Sequence, residues 1–327
     1  METAYINGLG SYLPSQVLTN EDLEKTVDTT NEWIVSRTGI CQRHVAAREE
    51  ATSDLATKAA IEALEEANLK PENIELIIVA TFTPDLMMPS TATKVQKNIG
   101  ASNAFAFDVN AACSGFVYGL SIAHKYVISG SVRNALVIGA ETMTKYIDWK
   151  DRNSCVLFGD GAGAAVVSSQ RNNGAKIIGF QMGSNGNAPR EWLMLHGSGS
   201  ANGNVNIAPE SMNSIVMNGK EIFKFSVGVM PLMIKDLLDK YGIPLDKADF
   251  IVPHQANRRI IEAAAERLNI PVSKFLMNMD KCANTSAASI PLVLTDARRN
   301  NIFQRGDIVV LAAFGAGFTW GGAVLEF

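Results

Sequence analysis

Four segments of this 327-residue chain carry groups able to do chemistry. The first is DVNAACSGF, residues 108–116, where Cys113 stands among Ala111, Ala112, Ser114 and Gly115. FAFDVN before it alternates with period 2, and GFVYGLSIAHKYVIS after it repeats apolar residues at helical spacing, so Cys113 falls at a strand-to-helix turn. Small neighbours allow a tight turn and an approach to the sulfur, and a helix N-terminus favours the thiolate. Two readings stand for such a residue: a nucleophile, or a small buried hydrophobe, the common fate of free cysteine. The second segment, VPHQANRR, sets His254 just after the apolar strand ADFIV, where α/β folds present functional groups. Of the other three histidines, His124 lies within the helix after Cys113 and reads as structural. His44 reads as a surface-loop residue, and His196 lies in a long polar loop. The third segment, ANTSAAS, opens a helix at Asn284, which serves either as a plain N-cap or as an uncharged donor to an oxygen anion. The fourth, FGAGFTWGG, offers backbone N–H groups around Gly315, Ala316 and Gly317.

Cysteine, histidine and asparagine in that order also describe a papain-like hydrolase, but AACSGF lacks that class's local signature. The chain's composition narrows the choice further. Formal net charge is -4, which does not suggest a nucleic-acid binder. Hydrophobic residues make up 47% and charged residues 19%, the profile of an ordinary globular protein. No apolar run reaches the length of a membrane span, and METAYINGLG does not read as a signal peptide. The four cysteines, Cys41, Cys113, Cys155 and Cys282, form no CxxC pair, which argues against zinc and against a disulfide framework. A reduced, cytoplasmic enzyme without a metal is the expectation.

The elements that must position these groups alternate along the chain. IELIIVATF (74–82), FAFDVN (105–110), NALVIGAE (134–141) and GAGAAVVS (161–168) read as strands, as do ADFIVPHQ (248–255), DIVVLAAFG (307–315) and GGAVLEF (321–327). SDLATKAAIEALEEANL and NRRIIEAAAERLNI read as amphipathic helices. The alternation predicts parallel sheets covered by helices. The two halves also echo each other: FGDGAGAAVV resembles FGAGFTWGGAVL, and the helix opening at Cys113 has a small-residue counterpart at Asn284. A duplicated α/β unit is expected, with two helix starts facing one centre. From Gly183 to Lys220 the chain is rich in Gly, Asn and Ser, and a loop of that length reads as a cover over a pocket.

Taken together, AACSGF, VPHQANRRI, ANTSAAS, FGDGAGAAVV and FGAGFTWGG resemble the signature segments of the β-ketoacyl-acyl carrier protein synthase III family. GLGSYLPSQVLTNEDLEKTVDTTNEWIVSRTGICQRH is similar to that family as well, so the resemblance runs from about Ile6 to Phe327. It implies an α/β, thiolase-like fold of two duplicated halves, 1–172 and 173–327, in a layered α-β-α-β-α core, and a homodimer. It implies that Cys113 takes an acyl group from a coenzyme A thioester, and that malonyl-acyl carrier protein then loses carbon dioxide and attacks the acyl-cysteine. His254 and Asn284 would donate to the enolate oxygen, and the backbone N–H groups of Cys113 and Ala316 would hold the second oxyanion. No cofactor is implied beyond these two substrates.

The resemblance also implies binding residues. Trp33 would stack on adenine with Arg37 and Arg152 beside it, while Gly219, Phe223 and Asn257 line the pantetheine tunnel. Arg259, Arg258 and Lys224 would grip the acidic carrier protein. Met143, Phe158 and Met217 would form the acyl pocket, with Met88 contributed across the dimer. A familiar acetyl-using member of the family has phenylalanine at the position of Met88, so the primer stays open among short, branched and medium chains. Lys220 replaces a polar uncharged residue, and Ala283 replaces a common glycine, a change of little effect if its backbone angles are ordinary. Glu141, in GAET, is the acidic residue that a hydroxymethylglutaryl-CoA synthase would need, but its neighbours fit the condensing family better. A specialised condensing enzyme or acyltransferase of the same fold is the alternative, and a non-catalytic acyl-thioester binder a further one.

Overall fold

The structure, a computed structural model, describes residues 3–195, 200 and 213–327. His196 and most of the polar stretch that follows it lie outside the described residues. The chain begins with β1 (Tyr5–Tyr12), then β2 (Gln16–Thr19), α1 (Asn20–Glu24), α2 (Asn31–Thr38) and β3 (Gln42–Val45). There follow α3 (Thr52–Ala67), β4 (Leu76–Ala80), α4 (Thr91–Ile99), β5 (Phe105–Val109), α5 (Gly115–Ile128), β6 (Asn134–Glu141), α6 (Arg152–Cys155) and β7 (Gly161–Ser168). The second half runs β8 (Ala175–Ser184), β9 (Leu193–Leu195), β10 (Ile215–Met217), α7 (Gly219–Lys240), β11 (Phe250–Pro253) and α8 (Arg258–Leu268). It closes with α9 (Met279–Cys282), α10 (Ser289–Arg299), β12 (Ile308–Gly315) and β13 (Thr319–Glu326).

Nine strands form one sheet in the order β11-β12-β13-β8-β1-β7-β6-β4-β5. Outward from its centre the order repeats. On one side β1, β7, β6 and β4 pair antiparallel, antiparallel and parallel, and on the other β8, β13, β12 and β11 do the same. β5, parallel to β4, has its counterpart in a single parallel bridge from Ile251 to Phe275. The two runs meet only through Tyr5–Lys176 and Ile6–Ala175, and the parallel sheets expected from the alternation are a mixed sheet, parallel only at its two outer ends. The boundary expected at 172/173 falls between β7 and β8.

Strand alternation explains the layering, because side chains at successive positions face opposite sides of a sheet. In β4, Leu76 and Ile78 face a central core while Ile77 and Val79 face an outer one under α3 and α4. In β12, Val309, Leu311 and Ala313 face the same central core, and Val310, Ala312 and Phe314 face an outer core under α7 and α8. α5 and α10 sit in the middle, packed on strands of both halves. Strands covered on both faces read as continuous apolar runs, which is why β6, β7 and β12 were recognisable.

Two further readings change, and one helix went unread in the sequence: α7, whose internal Gly228 and Pro231 obscure its period, packs on β12, β13 and α8. The stretch 183–220 is not all loop: it holds the end of β8, the β9–β10 pair and the start of α7. His44 belongs to β3, half-buried, with Nδ1 2.6 Å from the Pro14 carbonyl.

Candidate active site

The duplicated topology brings two 3-10 turns together, Ala112–Ser114 before α5 and Ser286–Ala288 before α10. Each turn opens on a residue with positive φ, Ala112 at 46° and Ser286 at 50°. That conformation bends the chain sharply into the helix, at a cost accepted where the surroundings impose it. Cys113 is buried in the first turn, and the last residue of β12 seals it from behind. A Cβ on Gly315 would lie 2.7 Å from the Cys113 backbone nitrogen. Burial pushes the Cys113 thiol up to about 12. The helix start therefore does not leave a thiolate at rest, contrary to the expectation drawn from the turn alone.

The second turn holds the carboxamide and a hydroxyl. The Ser286 backbone N–H donates to Asn284 Oδ1 at 2.9 Å, which fixes the amide orientation and leaves its NH2 to the cavity. The backbone of Asn284 is itself held by residues 157–159, its N–H donating to the Leu157 carbonyl and its carbonyl accepting from the Gly159 N–H. Ala283, which precedes it, has φ 58° and ψ −161°. These angles are not ordinary, so the alanine found where glycine is common is strained by about 1–3 kcal/mol.

His254 continues the ladder of β11, its N–H donating to Ala312 at 2.8 Å, and its ring stands edge-on to Phe314. Nδ1 lies 2.8 Å from Ser289 Oγ, which also accepts from the Gln255 N–H. The Ser289 hydroxyl also donates to the Ser286 carbonyl at 2.9 Å, so its one proton has two acceptors within reach and this contact alone does not set the His254 tautomer; an Nε2–H is the form that hydrogen-bonds an oxyanion. Burial lowers the imidazole to about 3, so His254 is neutral at pH 7. His124 is the structural residue expected, buried against the edge of Phe180.

Two cavities meet at the sulfur, and Cys113, Phe158 and Leu193 line both. One, of about 530 Å³, holds His254 and Asn284 at its inner end and Trp33, Arg37 and Arg152 at its outer end. Gly219, Phe223, Asn257 and Arg259 line its length, and Met217 belongs here rather than with the other pocket residues. The Arg152 guanidinium lies 4.8 Å from the Trp33 ring centre and that of Arg37 6.0 Å. Trp33 is half-buried, as its polar neighbours suggested. The α2 helix that carries it is C-capped by Gly39, with φ 80°, where a Cβ would lie 2.7 Å from that of Arg258. Arg258 and Arg259 are exposed at the mouth, Arg258 paired with Glu262 at 3.0 Å, and exposed Lys224 is 4.0 Å from Glu221.

The second cavity, of about 840 Å³, is lined by Met143, Phe158, Ala316 and the β9–β10 residues Leu193, Leu195 and Ile215. The described part of the expected cover thus forms a wall of it. Leu86 and Met87 line its rim, while Met88, 84% exposed, is not among its lining residues. Among the described residues, no group of three or more His, Cys, Asp or Glu side chains could hold a metal, and no helix is long and apolar enough to cross a membrane.

Sequence reasoning missed Ser286 and Ser289 and set Glu141 aside. Ser286 Oγ lies 3.3 Å from both Cys113 Sγ and Glu141 Oε1, deep in the site. The signal was the serine-rich ANTSAAS segment itself, but serines at helix starts ordinarily read as caps.

A family profile described as 3-oxoacyl-[acyl-carrier-protein (ACP)] synthase III matches residues 107–186, and its C-terminal counterpart matches 238–327. The β-ketoacyl-[acyl-carrier-protein] synthase III of Caldanaerobacter subterraneus is 50% identical over 324 residues, covering 99% of this chain and 98% of the relative. The crystal structure of 3-oxoacyl-[acyl-carrier-protein] synthase III from Aquifex aeolicus superposes with a TM-score of 0.91 at 46% identity, covering 99% of this chain and 100% of that one. The priming β-ketosynthase from the R1128 polyketide biosynthetic pathway gives a TM-score of 0.91 at 35% identity, covering 99% and 96%.

Proposed function

The chain belongs to the 3-oxoacyl-[acyl-carrier-protein] synthase III family, and from that membership we propose how this chain performs the condensation. An acyl-CoA enters the smaller cavity with its adenine against Trp33, flanked by Arg37 and Arg152, and its pantetheine along Gly219, Phe223 and Asn257. Cys113 attacks the thioester carbonyl, coenzyme A leaves, and the acyl chain occupies the larger cavity beside Met143 and Phe158. Malonyl-acyl carrier protein then docks its acidic surface on Arg259, Arg258 and Lys224 and threads its arm along the vacated tunnel. Loss of carbon dioxide places negative charge on the thioester oxygen, which the His254 Nε2–H and the Asn284 NH2 receive. The resulting enolate attacks the acyl-cysteine, whose carbonyl oxygen is held by the backbone N–H groups of Cys113 and Ala316, and a β-ketoacyl-carrier thioester leaves. Such preorganised donors are each worth about 3–4 kcal/mol of barrier.

The observation that carries this reading is that Cys113, His254 and Asn284 share one cavity with Trp33, Arg37 and Arg152. Residues 1–172 and 173–327 are read as two copies of one unit, a reading supported by the repeated strand order. Exposed Leu86 and Met87 at the rim of the acyl cavity, with exposed Met88 next to them in the chain, support a homodimer in which Met88 caps the partner's pocket. A methionine there is flexible and accommodates primers longer or more branched than acetyl. All four cysteines are free, which suits a reducing cytoplasm.

The test is intact-protein mass spectrometry with acetyl-, branched- and medium-chain acyl-CoAs, followed by malonyl-acyl carrier protein. The expected result is an adduct on Cys113 that disappears on addition of the malonyl carrier as β-ketoacyl product forms. An adduct that persists, or that leaves only as free acid, would refute condensation.

A further inference from the structure

Cys113 poses a problem of proton transfer. Its thiol is pushed up to about 12 by burial, so at neutral pH the proton must go to a nearby group before the sulfur can attack. His254 holds no side-chain hydrogen bond to the sulfur among the described residues, and its Nδ1 is committed to Ser289. The side-chain hydrogen bond at Sγ comes from Ser286.

Behind Ser286 stands Glu141, the last residue of β6, fully buried. Its Oε2 is crowded by donors: the Thr81 hydroxyl at 3.1 Å and both the N–H and hydroxyl of Thr83. Its Oε1 has only the Ser286 hydroxyl at 3.3 Å and a long contact of 3.4 Å from the Phe82 N–H. These partners are hydroxyls and backbone N–H groups, not cations, and burial raises the carboxyl to about 7. One hydroxyl thus stands between a thiol and a carboxylate oxygen with spare capacity. A hydroxyl can accept from one neighbour while donating to the other, so the geometry is that of a two-step proton relay.

We infer that Ser286 passes the Cys113 proton to Glu141 during acyl loading, and that Glu141 holds it until the acyl group leaves the sulfur. The inference rests on the condensing reading above. In loading, the S–H proton moves to Ser286 Oγ as the Ser286 proton moves to Glu141 Oε1. The thiolate bonds to the acyl carbon, and the carbon–sulfur bond to coenzyme A breaks. The coenzyme A thiolate departs along the open tunnel and takes its proton from water. In condensation, the enolate attack expels Cys113 as a thiolate, and the proton returns from Glu141 through Ser286. The buried pair carries one negative charge before loading and none while the acyl group is attached, so two buried charges never coexist. Ser286 touches the reacting sulfur and is the catalytic member, and Glu141 acts through it as a positioning residue.

The titratable groups facing this pair are few. Tyr146 is raised chiefly by its burial, with smaller contributions from Glu141 and from Asp85 beyond it. Asp160, preceding β7, is hydrogen-bonded by Ala46 and Thr144 instead. His254, across the cavity, does not change charge near pH 7.

The test follows Cys113 loading from acyl-CoA, and its alkylation by iodoacetamide read on the Cys113 peptide, between about pH 5 and about pH 10. In the unaltered protein both rates should rise through an inflection near pH 7. Glu141→Gln and Ser286→Ala should lose that inflection and load about 100-fold slower at neutral pH, with the deficit shrinking towards high pH as hydroxide takes over. Ser286→Thr, which keeps the hydroxyl, should restore the inflection. A deficit equal at all pH values, or an inflection retained in Glu141→Gln, would overturn the relay. Alkylation with the inflection but no loading from any acyl-CoA would refute the condensing reading and leave the relay standing.

Discussion

Gly315→Ala tests how tightly the two halves clamp Cys113, the proposed nucleophile. The added Cβ would lie 2.7 Å from the Cys113 nitrogen, 3.2 Å from its Cβ and 3.3 Å from its Cα. All three contacts are with Cys113, the proposed nucleophile, and the nearest is backbone. Neither side can yield easily. Gly315 pairs with Thr319 across the β12–β13 turn, and Thr319 Oγ1 donates to the Ala111 carbonyl at 3.1 Å, which ties that turn to the Cys113 turn. Relief of the contact therefore moves the sulfur by a few tenths of an ångström or more. Overpacking of this kind costs about 2 kcal/mol, or about 3 °C in Tm for a chain of this length. Misplacement of a reacting atom is dearer, and acyl loading should slow by about 100-fold. Rapid-quench loading from acyl-CoA and a thermal melt measure the two effects. Gly228→Ala is the control: a Cβ there meets nothing within 4 Å in the middle of α7, so loading should be unchanged and stability should rise by about 0.5–1 kcal/mol. Unchanged loading and unchanged Tm in Gly315→Ala would show that the turn gives way freely, and the clamp argument would fail.

His254→Ala and Asn284→Ala should still form the acyl-cysteine but release carbon dioxide from malonyl-carrier about 100- to 1000-fold more slowly, measured by trapping labelled carbon dioxide. Normal release in either variant would remove that residue from the oxyanion site. Trp33→Ala should raise the KM for acyl-CoA by about 10-fold with little change in kcat, since the lost stacking acts on ground and transition states alike. A fall in kcat alone would argue that Trp33 shapes the fold instead. Glu141 also makes a stability prediction with a definite sign. Its folded value of about 7 exceeds the unfolded 4.5, so the native state binds the extra proton between those values and loses about 3 kcal/mol of linked stability as pH rises through that window. Glu141→Gln does not titrate, so its Tm relative to the unaltered protein should be higher at pH 8 than at pH 4, and a constant or opposite difference would refute the assignment.

Much of the site was legible because its residues are local and chemically marked. Cys113 stands at a strand-to-helix junction written in small residues, and His254 just past a strand end, so each could be placed from its neighbours alone. The strands that carry them are buried on both faces, and their unbroken apolar runs advertised themselves. α7 was missed because its glycine and proline obscure the helical period, which packing against β12, β13 and α8 overrides.

What the sequence by itself determined was the set of candidate groups, the alternating elements and the repeated order of the two halves, all properties of short stretches of chain. What only the tertiary structure decided was which groups share a space and in what state of protonation. Ser286 reads as a helix cap until a turn from the other half, 173 residues away, sets Cys113 against it. Ala283 reads as a harmless replacement until its φ of 58° is seen. The Cys113 thiol, Glu141 and His254 all owe their protonation states to burial, and burial depends on what the rest of the chain stacks around a residue rather than on the residues beside it in sequence.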